Sequence, residues 1–406
     1  MPLDRLTKVL RDHVSELEAK GTAKGAELVV TKAIPPSGNR GPRFLLEGEG
    51  KKEFLRMNSN SYLGMSLRPE IMRAEEEGTA RYGAGPGAVR FISGTYDVHT
   101  ELEGALAAFH SREAAMIFSS AYATVMGTIS PLVTQETALI SDALNHNCII
   151  NAVRLSRPKE KVVYPHLDMG SLEKSLVEFK GKVNRALVIT DGIFSMRGDH
   201  APMDQIMALA RKHDDDYPEN VVVVMDDSHG VGSFGETGRG TEEYTSAPQI
   251  DVLVGTLGKA FGVNGGYVTS NASLIRFLRE SAPFYIYSNP ITPGEAKASL
   301  ASLRLLDSPW GRELLVRLRA LTKRFEDGLG RLGMETIPGE HPVVPLMVRD
   351  TAKTNALVEH LFANGVLATG LAYPVVPKGD EEIRFQINAD HTEQDVDRVL
   401  EVLGSF

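Results

Sequence analysis

The sequence contains a single cysteine, Cys148, among 406 residues. One thiol cannot form an intrachain disulfide, which argues against a disulfide-stapled secreted protein. We interpret this cysteine, in the run NHNCII, as a buried apolar residue, with a reactive thiol as the alternative. A basic excess is also lacking, because 44 Lys and Arg face 53 Asp and Glu, for a formal net charge of -9. This balance argues against nucleic acid or an anionic membrane as a partner.

Long uninterrupted apolar runs are absent as well. No segment approaches the ~18 apolar residues that a bilayer-spanning helix needs. The stretch MPLDRLTKVLRDHVSELEAKG alternates charged and apolar residues at helical spacing, and it lacks the apolar region of a signal peptide. We therefore predict an amphipathic N-terminal helix and a cytoplasmic protein.

The chain is long enough for two domains, since single hydrophobic cores stop growing at about 250–300 residues. After a connector rich in Gly and Pro, short apolar runs alternate with segments of helical periodicity. The apolar runs are AAMIFSS, TALISD, KVVYP, ALVITDG, NVVVVMDD and DVLVGT. Because strands inside parallel sheets are buried on both faces, this alternation predicts an α/β fold with a mostly parallel sheet.

The pattern changes near residue 290. A long helical stretch is followed by a strand, a helix, two strands and a last helix, which is typical of a smaller α+β domain. We predict three parts: residues 1–55 as an N-terminal helix and connector, 56–290 as a large α/β domain, and 291–406 as a small C-terminal α+β domain.

Polar side chains follow three of the predicted strands at the point where each strand ends. ALVITDGIFSM and NVVVVMDDSHG carry acids and an imidazole there, and DVLVGTLGKAFG places Thr256 and Lys259 just past its strand. Ligands of α/β sheets bind beyond the carboxyl ends of the strands. A lysine among small residues has room to receive an aldehyde, a nearby aspartate keeps a pyridine nitrogen protonated, and a threonine hydroxyl suits a phosphate. These residue types together predict a site for pyridoxal 5′-phosphate (PLP).

The same segments resemble the α-oxoamine synthase family of fold-type I PLP-dependent enzymes. The resemblance rests on DDSHGVGSFGETGRG and GTLGKAFGVNGGYV, and further segments match in order: NSNSYLGMS, GAGPGAVRFISGTYDVHTELE, FSSAYATVMG, DALNHNCIINAVRLS, TDGIFSMRGD and YPVVPKGDEEIRFQINADHT. It spans essentially the whole chain. The fold that it implies is a fold-type I PLP-dependent transferase, with a large domain on a mostly parallel sheet and a smaller C-terminal α+β domain.

The resemblance implies catalytic roles for four residues. Lys259 would carry the cofactor covalently and act as acid and base at the substrate Cα. Asp226 would pair with the pyridine nitrogen, with Asp227 as the fallback because sequence alone cannot orient two adjacent carboxylates. His229 would hydrogen-bond the phenolic oxygen of the cofactor. His146 would stack on the cofactor ring and move protons to the condensing carbonyl.

Further residues are implied to bind the cofactor. The helix start in FSSAYAT would present Ser120, Ala121 and Tyr122 to the phosphate, because backbone N–H groups at a helix N-terminus suit an anion. Thr256 would also bind the phosphate. Ser195 would help to hold the cofactor oxygen.

The resemblance also implies a substrate site and a partner subunit. Arg384 would bind the carboxylate of the amino acid, a bidentate task that suits a guanidinium group, and Asn60 would assist. Ser288 would reach the cofactor of the other subunit in a homodimer with shared active sites. No metal site is predicted.

The implied activity condenses a small amino acid with an acyl-CoA to a 2-amino-3-keto acid and releases CoA. Within the family, YPVVPKG favours glycine C-acetyltransferase chemistry on glycine and acetyl-CoA. The first alternative is 8-amino-7-oxononanoate synthase, a decarboxylating condensation of alanine with a pimeloyl thioester; an aminotransferase is more remote, and the intact catalytic set argues against a non-catalytic member. Ser61, Pro86 and Val263–Asn264 depart from the family pattern near the substrate edge, so the acyl donor stays open.

Overall fold

The computed structural model describes residues 3–20, 22–23, 25–373 and 375–406. Residues 1, 2, 21 and 24 of the predicted N-terminal segment lie outside the described residues, as does Pro374 of the YPVVPKG motif. Within the described ranges, helices α1–α14 are Asp4–Ala19, Pro69–Tyr82, Asp97–Phe109, Ala121–Leu132, Asn147–Leu155, Met169–Phe179, Met203–His213, Thr241–Tyr244, Ala272–Ser281, Pro283–Ile286, Pro293–Leu306, Pro309–Arg331, Thr351–Ala363 and Glu393–Gly404. Strands β1–β14 are Val30–Ile34, Arg43–Leu46, Leu55–Arg56, Ala114–Phe118, Thr137–Asp142, Glu160–Tyr164, Arg185–Asp191, Val221–Asp226, Val252–Thr256, Gly266–Ser270, Val343–Met347, Val366–Leu367, Thr369–Leu371 and Glu382–Gln386. None of the helices so described is long and apolar enough to cross a membrane.

A seven-stranded sheet with the order β4-β10-β9-β8-β7-β5-β6 forms the centre of the fold. β10 runs antiparallel to both of its neighbours, and the pairs from β9 through β6 are parallel. Every residue of β5 and β9 is buried. The predicted α/β fold with a mostly parallel sheet is therefore confirmed.

The apolar strands of this sheet are uninterrupted because both faces are covered. Along β8, Val223 and Met225 join one hydrophobic cluster, whereas Val224 joins a second cluster on the opposite face. Successive side chains of a strand point to opposite faces, so each face needs its own apolar residues. The run VVVVM follows from burial on both sides.

The C-terminal part holds a second, three-stranded antiparallel sheet with β14 in the centre, between β11 and β13. β12 pairs in parallel with β3, far back in the chain. Two backbone hydrogen bonds extend this attachment: the Gln386 N–H donates to the Met57 carbonyl over 2.7 Å, and the Ala389 N–H donates to the Tyr62 carbonyl over 2.7 Å. Residues 57–62 are thereby held against the strand that carries Arg384.

The predicted domain boundary near residue 290 stays a prediction. α11 packs against α2 and α3, which belong to the earlier part of the chain. At the contact between α2 and α11, a Cβ built on Gly78 would lie 2.9 Å from the Cα of Gly294 and 3.0 Å from the carbonyl oxygen of Pro293. The two helices approach this closely because neither glycine carries a side chain.

The Gly78→Ala variant should be less stable than the wild type. An added methyl group at this contact forces the two helices apart, and overpacking of this kind costs about 1–3 kcal/mol, which exceeds the ~1 kcal/mol that alanine gains in helix propensity. Gly104 in α3 is the matched control, since a Cβ there meets no atom within 4 Å. Gly104→Ala should raise the midpoint of urea unfolding and Gly78→Ala should lower it. Equal shifts in the two variants would contradict the close contact.

Candidate active site

Three neighbouring parallel strands end at one edge of the large sheet. β7 ends at Asp191, β8 at Asp226 and β9 at Thr256, and Lys259 follows three residues later. Asp191 and Asp226 are direct cross-strand partners, and adjacent strands lie about 4.8 Å apart. The strand ends predicted from the sequence therefore meet, and they surround the Lys259 amine with acids.

The ammonium group of Lys259 is easier to deprotonate than an ordinary lysine. Burial lowers its pKa to about 8, although the charges of Asp226 and Asp191 act in the opposite direction. With a pKa of 8, about a tenth of the amine is neutral at pH 7, against less than about one in a thousand for an unperturbed lysine. A neutral amine in a cleft is a candidate nucleophile and proton acceptor.

The carboxylate of Asp227 is hydrogen-bonded within the loop that follows β8. It accepts hydrogen bonds from the Thr241 N–H over 2.7 Å and from the Thr241 hydroxyl over 2.6 Å. The backbone wraps so tightly that a Cβ on any of three surrounding glycines would collide with this carboxylate, namely Gly192, Gly230 and Gly240. Burial raises the pKa of Asp227 to about 7. Of the two adjacent acids, Asp226 is therefore the one that faces the Lys259 amine.

Asp191 lies in the same cluster, and the sequence reasoning assigned it no role. Burial raises its pKa well above the ordinary value, and the charge of Asp226 raises it further. Its Oδ2 accepts the backbone N–H of His146 over 2.7 Å, and its own N–H donates to Asn145 Oδ1 over 2.8 Å. The sequence signal for Asp191 was the TDG run at the end of an apolar strand. This run lies in register with MDD of the neighbouring strand.

His146 begins helix α5 at the same edge. Its Nδ1 accepts the Cys148 N–H over 3.3 Å and lies 2.9 Å from the Cys148 sulfur. That sulfur is also 3.6 Å from Asp226 Oδ2. Cys148 is buried, as predicted. Burial raises the pKa of its thiol, with the charges of Asp226 and Asp191 adding to the effect, which disfavours the thiolate that a reactive cysteine requires.

His229 is fully enclosed on the other side of the cluster. Burial lowers its pKa well below the ordinary value, and the charge of Lys259 lowers it further. Its Nδ1 lies 2.7 Å from the Tyr62 hydroxyl, and its carbonyl lies 2.9 Å from His341 Nε2. Tyr62 adopts a φ of 28°, a strained conformation for a residue with a side chain. Tyr62 lies in the quoted NSNSYLGMS segment but had no assigned role, and His341 was missed.

Arg384 joins three distant parts of the chain. Its Nη1 donates to the Ser195 carbonyl over 3.0 Å, and its Nη2 donates to Asn60 Oδ1 over 2.9 Å. β14 holds Arg384 between two other strands, with Pro345 and Thr369 as its cross-strand neighbours. The three residues predicted around the amino-acid carboxylate and the cofactor oxygen are thus in direct contact.

The start of α4 lies beside the end of β9. Ser120 caps this helix, because its hydroxyl oxygen accepts the Ala123 N–H over 3.1 Å, and first-turn N–H groups such as those of Ala121 and Tyr122 have no acceptor within the helix. Gly266 pairs with Thr256 across the sheet, and a Cβ on Gly266 would lie 2.6 Å from the Ala121 nitrogen. The predicted phosphate-binding residues therefore adjoin one another.

Two predicted residues contribute less directly. The Tyr122 side chain is exposed, and its hydroxyl lies 3.2 Å from Asn147 Oδ1, on the neighbouring helix. Ser288 donates a long hydrogen bond of 3.4 Å to the Asn289 carbonyl, and within the described residues its side chain has no hydrogen bond to another predicted site residue. A role in the site of a second subunit stays a prediction for Ser288.

The chain is similar to known proteins over most of its length. The model of the family "Aminotransferase class I and II" matches residues 52–403. Among curated relatives, 8-amino-7-oxononanoate synthase of Thermosipho melanesiensis is 38% identical over 87% of this chain and 88% of its own length. The mitochondrial 2-amino-3-ketobutyrate coenzyme A ligase of Homo sapiens is 36% identical over 98% of this chain and 91% of its own length. A solved structure of a serine palmitoyltransferase variant from S. paucimobilis, with a bound PLP–myriocin aldimine, superimposes with a TM-score of 0.87 at 26% identity, covering 100% of this chain and 97% of that one.

The chain belongs to the aminotransferase class I and II family and, within it, to the α-oxoamine synthases. The predicted family, fold-type I fold and PLP cofactor are thereby confirmed. The residues of this α-oxoamine synthase also fit the cofactor chemically. A half-buried amine of lowered pKa, an acid at the adjoining strand end and a helix start that suits an anion lie at one edge of the sheet.

A buried ion cluster supports the loop that carries His146. Asp142 accepts the Leu144 N–H over 2.8 Å and the Leu167 N–H over 3.0 Å. The two ring nitrogens of His166 lie 2.9 Å from Asp142 Oδ1 and 3.3 Å from Asp199 Oδ2. Burial alone would lower the pKa of His166, but the hydrogen bonds and charges of the two aspartates outweigh it and raise the pKa to about 9.

The contribution of His166 to stability should disappear at high pH. Its folded pKa lies above the unfolded value near 6.5, so its contribution is fully present below about pH 6.5 and is lost as the pH rises through 9. In urea unfolding at pH 6, the free energy of unfolding of the wild type should exceed that of His166→Gln. This difference should disappear by about pH 10. His13→Gln, at an exposed position of α1, serves as control and should show no such gap. A gap that stays constant with pH would refute the charged cluster.

Proposed function

We propose that this α-oxoamine synthase is a PLP-dependent C-acyltransferase, which condenses a small amino acid with an acyl-CoA and releases CoA. The carrying observation is that the Lys259 amine, with its pKa lowered to about 8, lies within the electrostatic reach of Asp226 and of Arg384. Lys259 can thus bind an aldehyde and accept a proton, Asp226 can carry a negative charge, and Arg384 can bind a carboxylate. The names of the relatives, a 2-amino-3-ketobutyrate coenzyme A ligase and several 8-amino-7-oxononanoate synthases, support the reaction class.

The cofactor would be held by the residues that converge on the sheet edge. Lys259 would attach it covalently, Asp226 would pair with its ring nitrogen, and the start of α4 with Thr256 would bind its phosphate. His229 would hydrogen-bond the phenolic oxygen, and Tyr62 would orient the His229 ring through the 2.7 Å contact at Nδ1. When bound, PLP supplies an electron sink for negative charge at the substrate Cα.

The amino acid would be oriented by its carboxylate. Arg384 is already held by the Ser195 carbonyl and by Asn60, so its guanidinium is in place before a substrate arrives. The Lys259 amine, freed when the amino acid takes its place on the cofactor, would remove the proton from Cα, a task that suits a pKa near the working pH. His146 lies at the open side of the same cluster and would move a proton to the oxygen of the thioester carbonyl.

The finer identity of the substrates also belongs to this proposal. We propose glycine and acetyl-CoA as the first pair, on the basis of the YPVVPKG motif, and alanine with a pimeloyl thioester as the second, on the names of the relatives. We further propose a cytoplasmic homodimer in which Ser288 serves the neighbouring site.

The activity should appear as thiol release that needs both substrates. We would cross glycine, alanine and serine with acetyl-, malonyl- and longer acyl-CoA thioesters and measure free CoA. Borohydride treatment of the PLP-loaded protein should fix the cofactor at Lys259, as located by peptide mass. Lys259→Ala should lose both signals, whereas the exposed control Lys323→Ala should keep both. Release of a 2-keto acid from the amino acid alone, with no thiol, would favour an aminotransferase instead.

Asp226 and Asp227 should differ sharply as asparagine variants. Asp226→Asn should slow deuterium exchange at the glycine Cα by about 10²-fold or more, the scale of losing one preorganised electrostatic group, because the ring nitrogen loses its anionic partner. Asp227→Asn should instead lower the free energy of urea unfolding by about 1–3 kcal/mol, because a buried acceptor of two Thr241 hydrogen bonds is impaired. Exchange lost in folded Asp227→Asn and preserved in Asp226→Asn would reverse the assignment.

A further inference from the structure

A cavity of about 730 Å³ opens from the site between the two sheets. His146 and Ser195 lie at its boundary, so it adjoins the residues that we assign to the cofactor and the amino acid. Much of its wall is apolar, formed by Leu144, Ile150, Phe194, Met196, Val375 and Val376. Pockets of roughly 300–1,000 Å³ hold whole organic ligands. The cavity is therefore large enough to hold the acyl group of an acyl donor.

Glu382 interrupts this apolar wall. It lies on β14 two residues before Arg384, so the two side chains point to the same face of the strand, about 7 Å apart along it. Its cross-strand partner on β11 is Met347, which lines the cavity as well. Glu382 thus lines the cavity from the same strand face that carries Arg384, the residue that we assign to the amino-acid carboxylate.

The Glu382 carboxyl group is incompletely paired: the charges of Arg384 and Arg197 act on it, but its Oε1 has no hydrogen-bond partner within the described residues. The residue is 2% exposed. The two nearby arginines are engaged elsewhere: Arg197 donates to Asp199 over 2.8 Å, and Arg384 donates to Asn60 and the Ser195 carbonyl. Burial raises the pKa of Glu382 to about 8. A buried carboxyl oxygen without a hydrogen-bond partner is costly, so its complement is expected on the molecule that fills the cavity.

We propose that Glu382 is a specificity-determining residue of the acyl-donor pocket, and that it selects acyl groups carrying an O–H or N–H donor over unsubstituted and anionic ones. This inference rests on the proposed function, since the cavity is assigned to the acyl donor on grounds of its size and position. A second acid, Asp380, lines the same cavity and is ion-paired with Arg349 over 3.5 Å. Arg197 lines the cavity as well and is ion-paired with Asp199. A site built to hydrogen-bond a substrate group rejects the analogue that lacks it, because its own polar group is then left unpaired.

Binding to the PLP-loaded full-length protein, measured by calorimetry without amino acid, tests the inference directly. The probes are two matched acyl-CoA series. The three-carbon series contains propionyl, 3-hydroxypropionyl, β-alanyl and malonyl groups, and the six-carbon series contains hexanoyl, 6-hydroxyhexanoyl, 6-aminohexanoyl and adipyl groups. In at least one series, the donor-bearing thioester should bind about tenfold more tightly than the unsubstituted one, the scale of one hydrogen bond to a buried carboxyl group. At a pH above 8, where Glu382 is ionised, the anionic member should bind most weakly.

The variants separate recognition from a general effect on the pocket. Glu382→Leu should remove the preference for the donor, and Glu382→Gln should relieve the rejection of the anionic chain while keeping part of the preference for the hydroxyl group. Glu326→Gln is the matched control, because burial raises the pKa of Glu326 to about 7 on α12, outside the cavity. This control should keep the wild-type ratios.

Three results would overturn the inference. Equal binding of donor-bearing and unsubstituted thioesters in both series would leave Glu382 as a carboxyl group solvated only by cavity water. A preference that survives in Glu382→Leu would place the recognition elsewhere. If Glu382→Leu changed only the amino-acid preference in the thiol-release assay, the cavity would be assigned to the amino acid. Failure of the proposed function is distinguishable, because it abolishes thiol release for every pair while the binding ratios still report on Glu382.

Discussion

The site depends on the burial of charged groups at one edge of the large sheet. Parallel strands β7, β8 and β9 end there together, so two aspartates and a lysine meet where water is scarce. Burial lowers the pKa of Lys259 and raises the pKa of Asp191, and the charge of Asp226 opposes the first shift and adds to the second. The Lys259 amine is therefore neutral in a larger fraction of molecules at pH 7 than an exposed lysine, because burial disfavours its charged form.

The second constraint is that the substrate end of the site is shared by distant parts of the chain. Arg384 lies on the small sheet, Ser195 lies after β7 of the large sheet, and Asn60 lies on the segment tied to β14 by backbone hydrogen bonds. Any relative movement of these parts changes the position of the guanidinium group. The carboxylate binding that we propose for Arg384 would therefore be coupled to the packing of the small sheet on the large one.

The sequence predicted those features that are local in the chain. Apolar runs and the polar residues that end them identified the parallel sheet and Lys259 with its acids, and motif resemblance supplied Arg384, Asn60 and Ser195. The choice between Asp226 and Asp227 was not local, because it depends in part on Gly192, which closes around Asp227 from the end of the neighbouring strand. Tyr62 and His341 were not predicted as site residues for the same reason, since each contacts His229 from a distant part of the chain.

The residues that line the cavity differ from those that we assign to the cofactor, apart from His146 and Ser195. One cofactor site can therefore serve different acyl donors. The groups that we assign to PLP lie on the large sheet and its loops, where three strand ends restrain one another. Glu382 lies on β14, and Val375 and Val376 lie in the segment before it. The rest of the apolar wall, including Leu144 and Phe194, comes from loops that follow strands of the large sheet. Substitutions in that wall alter what fills the cavity without touching Lys259 or Asp226. The relatives that match almost the whole chain indeed carry names that differ from one another.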